Sequence, residues 1–309
     1  MDKQQIFFSI IIPHHNIPHL LERCLNSIPQ RDDVQVVVVD DKSGEQARLE
    51  LELLKEKYRQ VCFIMLDENK GAGHARNVGL KEAKGKYVLF ADADDYFNYC
   101  IDDVLSEYKN QEYDIIFFEA SSLDTDTYHY TSRSWHLNRM IRRKRSKAEF
   151  DLRFKFGEPW CKIIKREVIK AHNICFEETI IHNDTRFSYL VGFYCKDAHI
   201  DRRALYCVTD RENSVSKQIS IERLLVRTQV FTNANKFYKE HGVSWYNSKA
   251  LRPMVNFLIK GDFSQFSTCF KIHKDAGFST QSIIIKLLMY PNWLVCQFLL
   301  VMKRKYIVA

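Results

Sequence analysis

No CxxC pair occurs in this sequence: its nine cysteines stand singly, at Cys24, Cys62, Cys100, Cys161, Cys175, Cys195, Cys207, Cys269 and Cys296. That scatter, with its odd total, argues against a disulfide framework or a cysteine zinc site and for reduced thiols in a cytoplasm. Long apolar runs are also missing. No window reaches the roughly 18 uninterrupted apolar residues of a membrane span, because Lys286, Pro291, Asn292 and Gln297 break the most hydrophobic stretch. The opening MDKQQIFFSIIIPHHN lacks a small-residue cleavage site, so it reads as a first strand and not as a signal peptide. There is no internal repeat and no DNA- or RNA-binding motif, which excludes nucleic acid as the expected partner. What is present is an ordinary globular balance, 46% hydrophobic and 28% charged over 309 residues, with a formal charge of +7 that favours phosphates or an anionic surface.

Short β-branched and aromatic runs at Ile6–Ile12, Val34–Val39, Val61–Leu66, Tyr87–Ala91 and Asp114–Phe118 alternate with helical patterns. They carry no polar alternation, so they predict strands buried on both faces in a mostly parallel α/β sheet. Open α/β sheets bind ligands at the carboxyl ends of their strands. The polar clusters sit there: Pro13-His14-His15-Asn16, Asp40-Asp41 and Asp92-Ala93-Asp94-Asp95. Residues 121–157 turn polar and basic, with the run Arg142-Arg143-Lys144-Arg145, and read as a flexible excursion over the active face. Residues 158–216 are mixed, with a helix from near Asn183 and a strand at His199–Thr209. From Ile219 onward the pattern is helical, punctuated by Gly242, Pro253, Gly261 and Gly277.

Two carboxylates at i and i+2 directly after an apolar strand share a side and can grip one hard cation through oxygen. Asp92 and Asp94 are so placed, and either Mn2+ or Mg2+ would suit them. An acidic loop capping a helix is the plainer reading of the same residues. The neighbouring motifs decide between them. Ser9-Ile-Ile-Ile-Pro-His-His-Asn16, Val38-Val-Asp-Asp-Lys-Ser43, Gly71-Ala-Gly-His-Ala-Arg-Asn77 and Phe90-Ala-Asp-Ala-Asp-Asp95 stand in the order and spacing of family 2 glycosyltransferases, which the chain resembles over roughly residues 6–216. The resemblance is to bacterial members that build surface polysaccharides.

That resemblance implies a GT-A fold, residues 1–216 as the catalytic domain, and inverting transfer from a nucleoside diphosphate sugar. Within the domain, 1–120 would be the donor-nucleotide half and 121–216 the acceptor half, with 217–309 a helical appendage. Pro13 and Asn16 match the loop against the nucleoside. Asp41 matches the carboxylate that accepts from the base, which favours a UDP-sugar. Gly71-Ala-Gly-His-Ala-Arg-Asn imitates a dinucleotide fingerprint, but Arg76 stands at its third glycine and the motif follows the third strand, so a nicotinamide cofactor is rejected. In the family pattern Arg76 is instead a cation near the donor diphosphate or base.

The segment Phe176-Glu-Glu-Thr-Ile-Ile-His-Asn-Asp184 matches the family's acceptor-side stretch, with Asn183 where a glutamate is usual, and makes Asp184 the expected general base. The dipole of the following helix is expected to lower the Asp184 pKa and keep it ionised; Glu177 and Glu178 are the next candidates. Trp160 would stack on an acceptor sugar or else belong to the core. Arg211 opens the stretch 211–216, which resembles a closing loop over the diphosphate. His182 and His199 are available as a third metal ligand. The apolar segment 282–305 with its terminal cations suits an interfacial anchor toward a glycan or lipid-linked glycan acceptor on the inner membrane face, or a homodimer contact. Rival readings are a nucleotidyltransferase and a non-catalytic nucleotide-sugar or glycan-binding module; the first would need a glycine-rich loop after the first strand, where Pro13-His14-His15-Asn16 stands.

Overall fold

The computed structural model describes residues 5–211 and 220–289. Strands β1 (Phe8–His14), β2 (Val34–Asp40), β3 (Cys62–Met65) and β4 (Tyr87–Phe90) alternate with helices α1 (Pro18–Asn26), α2 (Glu45–Lys57) and α3 (Ala72–Glu82). β1 lies between β2 and β4, and all four run parallel. Ile10, Ile11 and Ile12 are fully buried, as are Val37, Val38 and Val39. Consecutive burial of this kind demands cover on both sides of the sheet, which explains the unbroken apolar runs. Polar residues are thereby confined to the strand ends.

The sheet continues through a β5 (Tyr96–Phe97), α4 (Ile101–Tyr108), β6 (Ile115–Asp124), β7 (Lys162–Lys165) and β8 (Ala198–Asp210). Among the described residues its order is β3-β2-β1-β4-β7-β6-β8-β5. Here it is mixed: β7 is antiparallel to both β4 and β6, β6 is parallel to β8, and β5 is antiparallel to β8. Pairing of Tyr96 with Cys207 sets the acidic turn after β4 beside the carboxyl end of β8.

The stretch 121–157 differs from the expected flexible excursion. β6 runs on to Asp124, and helices α5 (Trp135–Ile141) and α6 (Arg145–Phe154) follow. Leu137, Met140, Ile141, Ala148 and Leu152 are buried, so an apolar helical stripe lies beneath the basic surface that dominates the sequence. α7 (Arg166–Ala171) and α8 (Thr185–Tyr194) complete this part.

The described residues fall into two compact units, 5–179 with 183–211 and 180–182 with 220–289. The second contains α9 (Ile221–Glu240), α10 (Arg252–Ile259), α11 (Phe263–Asp275) and α12 (Thr280–Leu288) around Leu251, Met254, Phe257, Cys269, Phe278 and Ile283. The side chains of Ser220, Asp262 and Ser279 cap α9, α11 and α12. Among the described residues no helix is long and apolar enough to cross a membrane. Most of the expected interfacial stretch 282–305 lies outside the described residues, as do residues 212–216 of the expected closing loop.

In the first unit Phe187 is fully buried, stacked on Phe176 at 4.0 Å and edge-on to Phe90 at 5.3 Å. Phe187→Ala is expected to cost about 3–5 kcal/mol by cavity formation. Urea unfolding of the variant measures it; a loss within noise would show that this aromatic cluster does not hold α8 to the sheet.

Candidate active site

The turn after β4 divides its carboxylates by alternation. Asp92 and Asp94 are partly exposed, while Asp95 points inward, buried, with Oδ1 accepting from Thr209 N at 2.7 Å. The backbone of the turn is fixed from outside it. Asp92 N–H donates to the buried Tyr206 hydroxyl at 2.8 Å, and the Asp94 carbonyl accepts from Arg23 and from Thr209 Oγ1. Arg211 Nη2 reaches Asp94 Oδ2 at 2.6 Å, and Arg76 Nη2 reaches Asp92 Oδ1 at 2.6 Å. Burial and the Asp92 charge nonetheless raise the Asp94 pKa, against the pull of Arg211.

Each of those two carboxylates keeps one oxygen beyond its arginine pair. Among the described residues no cluster of three histidine, cysteine or acidic side chains could hold a metal ion. A donor diphosphate would therefore have to complete an oxygen coordination sphere. Neither expected histidine helps. His199 stacks on Tyr113 toward the amino end of β8, and His182 accepts from Arg227 Nε in the helical unit, where burial and nearby cations push its pKa down to about 3.

Arg76 is buried, 6% exposed, and is not spread toward open solvent as a free phosphate fork would be. Its second amino group donates to Asn183 Oδ1 at 2.9 Å, and its guanidinium lies over the Phe176 ring. The other residues of Gly71-Ala-Gly-His-Ala-Arg-Asn77 meet the same segment. Asn77 both donates to Phe176 O and accepts from Phe176 N, and His74 Nδ1 contacts Glu178 Oε1 at 2.9 Å. A Cβ on Gly73 would stand 2.1 Å from Glu177 O. The motif is thus the dock on which the loop carrying Asp184 rests.

Asp184 precedes α8 but makes no side-chain capping bond. Its pKa is pushed up to about 7, first by burial and then by the charge of Glu158, with Arg76 opposing. This reverses the expected dipole-lowered value, because desolvation among carboxylates outweighs a helix terminus the side chain does not touch. Sequence reasoning missed Lys162. Buried on β7, its Nζ donates to Phe156 O and Ser188 Oγ, and burial pushes its pKa down to about 8 despite the Glu158 and Asp184 charges. A lysine inside the apolar run Cys161–Ile164 was the available signal. Of the fallback bases, Glu178 is held by His74, and burial raises the pKa of Glu177.

At the ends of β1 and β2, Ile17 N–H donates to His14 Nε2, so His14 Nδ1 carries the proton and donates to Asp40 Oδ1 at 2.8 Å. Burial would raise the Asp40 pKa, but bonds from His14 and Ser43 hold it below the ordinary range. Asn16 takes a positive φ of 59°, with Oδ1 accepting from Gly44 N, and Pro13 is buried in β1. Asp41 is not an open acceptor: its oxygens take Lys70 N and Gly71 N at 2.9 and 2.7 Å. Trp160 belongs to the core. It is 6% exposed, stacked on Tyr206 and edge-on to Phe156, which leaves no open ring for a sugar.

The fold and site define an α/β protein whose parallel half ends in paired carboxylates, with a second carboxylate-bearing loop docked against it. Residues 9–172 match the family model Glycosyl transferase family 2, and the chain belongs to that family. It is 29% identical over 185 residues to the teichoic acid poly(glycerol phosphate) polymerase of Staphylococcus epidermidis, covering 56% of this chain and 24% of that one. Over 95 residues it is 38% identical to the poly(ribitol-phosphate) beta-N-acetylglucosaminyltransferase TarS of Staphylococcus aureus, covering 29% and 17%. The chain thus spans a quarter or less of the length of these relatives. The cholesterol galactosyltransferase of Borreliella burgdorferi aligns over 91% of this chain and 90% of its own at 24% identity. A solved structure of S. aureus TarS 1–349 with UDP-GlcNAc superposes with a TM-score of 0.60 at 19% identity, over 88% of this chain and 90% of that one. The mannosyltransferase PcManGT from Pyrobaculum calidifontis with GDP-Man and Mn2+ gives 0.57 at 17%, over 96% and 85%. The fold is GT-A.

If the glycine motif is a dock, Gly73→Ala must displace the Glu177–Asp184 loop, since backbone carbonyl cannot yield 2.1 Å cheaply. Transfer is expected to collapse while nucleotide binding changes little. Isothermal titration with nucleotide beside a transfer assay checks it, and a fully active variant would refute the docking role.

Proposed function

We propose that residues 1–216 form an inverting glycosyltransferase. It moves a sugar from a nucleoside diphosphate sugar, a UDP-sugar being favoured, to a hydroxyl of a glycan or lipid-linked glycan in surface-polysaccharide synthesis. The observation that carries this is the convergence of Asp92, Arg76, Asn183 and Asp184 through two hydrogen bonds of one arginine, which joins the strand-end carboxylates to a candidate base. Support comes from relatives named as a teichoic acid poly(glycerol phosphate) polymerase and a poly(ribitol-phosphate) beta-N-acetylglucosaminyltransferase, and from neighbours solved with UDP-GlcNAc or with GDP-Man and Mn2+.

In this reading Asp184 takes the proton of the acceptor hydroxyl as its oxygen bonds to the anomeric carbon and the bond from that carbon to the diphosphate breaks. A base with a pKa of about 7 is well matched to that task, because it is half ionised at neutral pH and still holds a proton usefully. Asp92 and Asp94 would hold a divalent metal, Mn2+ or Mg2+, which supplies Lewis-acid neutralisation of the departing diphosphate. Arg211, fixed on Asp94, adds a cation for the phosphates. Pro13, Asn16 and Asp41 would lie at the nucleoside end, with Asp41 acting there by fixing the Lys70–Gly71 backbone.

The transfer rate under saturating substrate should rise with pH through about 7 as Asp184 ionises. Asp184→Asn should bind nucleotide normally, lose the limb and fall about 10²- to 10⁴-fold in rate. The folded chain holds this proton more tightly than an unfolded aspartate, whose pKa is about 4. Asp184 therefore costs stability as pH rises from about 4 through about 7. The variant should accordingly gain melting temperature at pH 8 but little at pH 4. A rate limb that survives in Asp184→Asn would place the base elsewhere.

Melting temperature should also rise when UDP and Mn2+ are added together, beyond the effect of either alone. Asp94→Ala is expected to abolish that joint shift and turnover. An undiminished joint shift would mean the pair does not hold the metal.

A further inference from the structure

A cavity of about 520 Å³ opens between the outer half of β6 and α5, within the range of roughly 300–1,000 Å³ typical of small-ligand pockets. Its polar floor is made by Ser121, Ser122 and Ser134. The floor is built rigidly: Ser122 Oγ donates to Thr131 O, and the Asn138 amide bonds both the N–H and the carbonyl of Ala120. Two aromatic side chains line it, Tyr130 and Trp135, 89% and 70% exposed, and among the described residues neither stacks on another ring. Large bare aromatic faces over a bed of hydroxyls are costly to leave in water and suit the C–H face of a sugar or polyol.

The charge of the cavity is one-sided. Arg139 and Arg142 line it and no carboxylate does. Arg142 is held by both oxygens of Glu119, at 2.9 and 2.6 Å, whereas Arg139 has no hydrogen-bond or ion-pair partner among the described residues. Trp135, Arg139 and Arg142 follow one another at the spacing of a single helix face. One guanidinium is therefore left to pair with a ligand, which an uncharged sugar would not need. The cavity also belongs to the end of the sheet that carries the chemistry. Arg133, between lining residues Thr131 and Ser134, donates to Thr209 O, and Thr209 in turn holds Asp94 and Asp95.

We infer that this cavity is an acceptor subsite for an anionic glycan: it holds a sugar or polyol unit against Trp135 and Tyr130 and that unit's phosphodiester against Arg139. The inference rests on the glycosyl-transfer reading and names the class of acceptor for it. Lipid tails or an apolar protein face would leave the Arg139 guanidinium without a partner.

The test uses the full chain, its Trp135→Ala and Arg139→Gln variants, and three probes: a polyol-phosphate oligomer, an uncharged oligosaccharide of equal length, and inorganic phosphate. The oligomer should quench tryptophan fluorescence in the wild type and not in Trp135→Ala, and the uncharged probe should bind far more weakly. In transfer assays both variants should raise the acceptor KM about tenfold or more, the scale of losing one anchoring contact, with nucleotide affinity as in the wild type. Arg139→Gln should also flatten the salt dependence of binding. Equal binding of charged and uncharged probes, quenching by phosphate alone, or an unchanged KM in Trp135→Ala would overturn the inference. So would a change of sedimentation in Trp135→Ala, which would make the face a contact between copies. Wild-type quenching by the oligomer without any sugar transfer would instead sink the glycosyl-transfer reading and leave a glycan-binding cavity.

Discussion

A buried guanidinium must spend its hydrogen bonds inside the protein, and the way Arg76 spends them organises this molecule. One amino group goes to Asp92, at the carboxyl end of β4, and the other to Asn183, at the end of the loop into α8. Asp92 and Asn183, 91 positions apart, are thereby held on one side chain. Removing it would leave Asp92 without its cation and Asn183 Oδ1 without its donor. The surrounding Gly73, His74 and Asn77 contacts repeat the same connection from neighbouring turns of α3. The loop is thus located by a helix face together with its own Glu177 N–H bond to Asn183 O.

The electrostatics follow from that packing. Burial and the charges of Glu158 and Asp92 disfavour ionisation of Asp184, and Arg76 only partly offsets them. Lys162 feels the opposite side of the same desolvation: it is pushed toward neutrality while two carboxylates resist. An acid and a base with their pKa values drawn together toward neutrality are characteristic of sites that move protons. The arrangement destabilises the fold locally, which the stacked Phe176, Phe187 and Phe90 beneath it oppose by pure burial.

Much of this was readable from residue order. The β-branched runs located the first four strands to within two residues at most of their ends, because strands buried on both faces leave no polar interruption to misread. The carboxylate alternation at Asp92 and Asp94 followed from strand period alone. What failed did so for identifiable reasons. Five buried apolar residues of α5 and α6 were hidden by the basic side chains between them, so a helical pair read as an excursion. Trp160 could not be assigned without knowing that Tyr206, 46 positions away, covers its face. The glycine motif could be rejected as a dinucleotide fingerprint from residue order, but only the fold shows that the group its glycine admits is Glu177 O. The Asp184 pKa was misjudged because a helix dipole can be read from sequence and desolvation cannot.

Asn183 now has a physical account. The family pattern places glutamate there, and a carboxylate at that position would draw Arg76 into a second ion pair and add negative charge one residue from Asp184. Coulomb repulsion at such range would push the Asp184 pKa above neutrality, and the shared guanidinium would bind Asp92 less firmly. The amide keeps the hydrogen bond to Arg76 without taking its charge. Arg76 can then stabilise the ionised forms of Asp92 and Asp184 together, which keeps Asp184 near half-ionisation at neutral pH despite its burial. The departure from the family pattern is therefore compatible with base catalysis: it withholds one more carboxylate from a site where burial already disfavours the charge of Asp184.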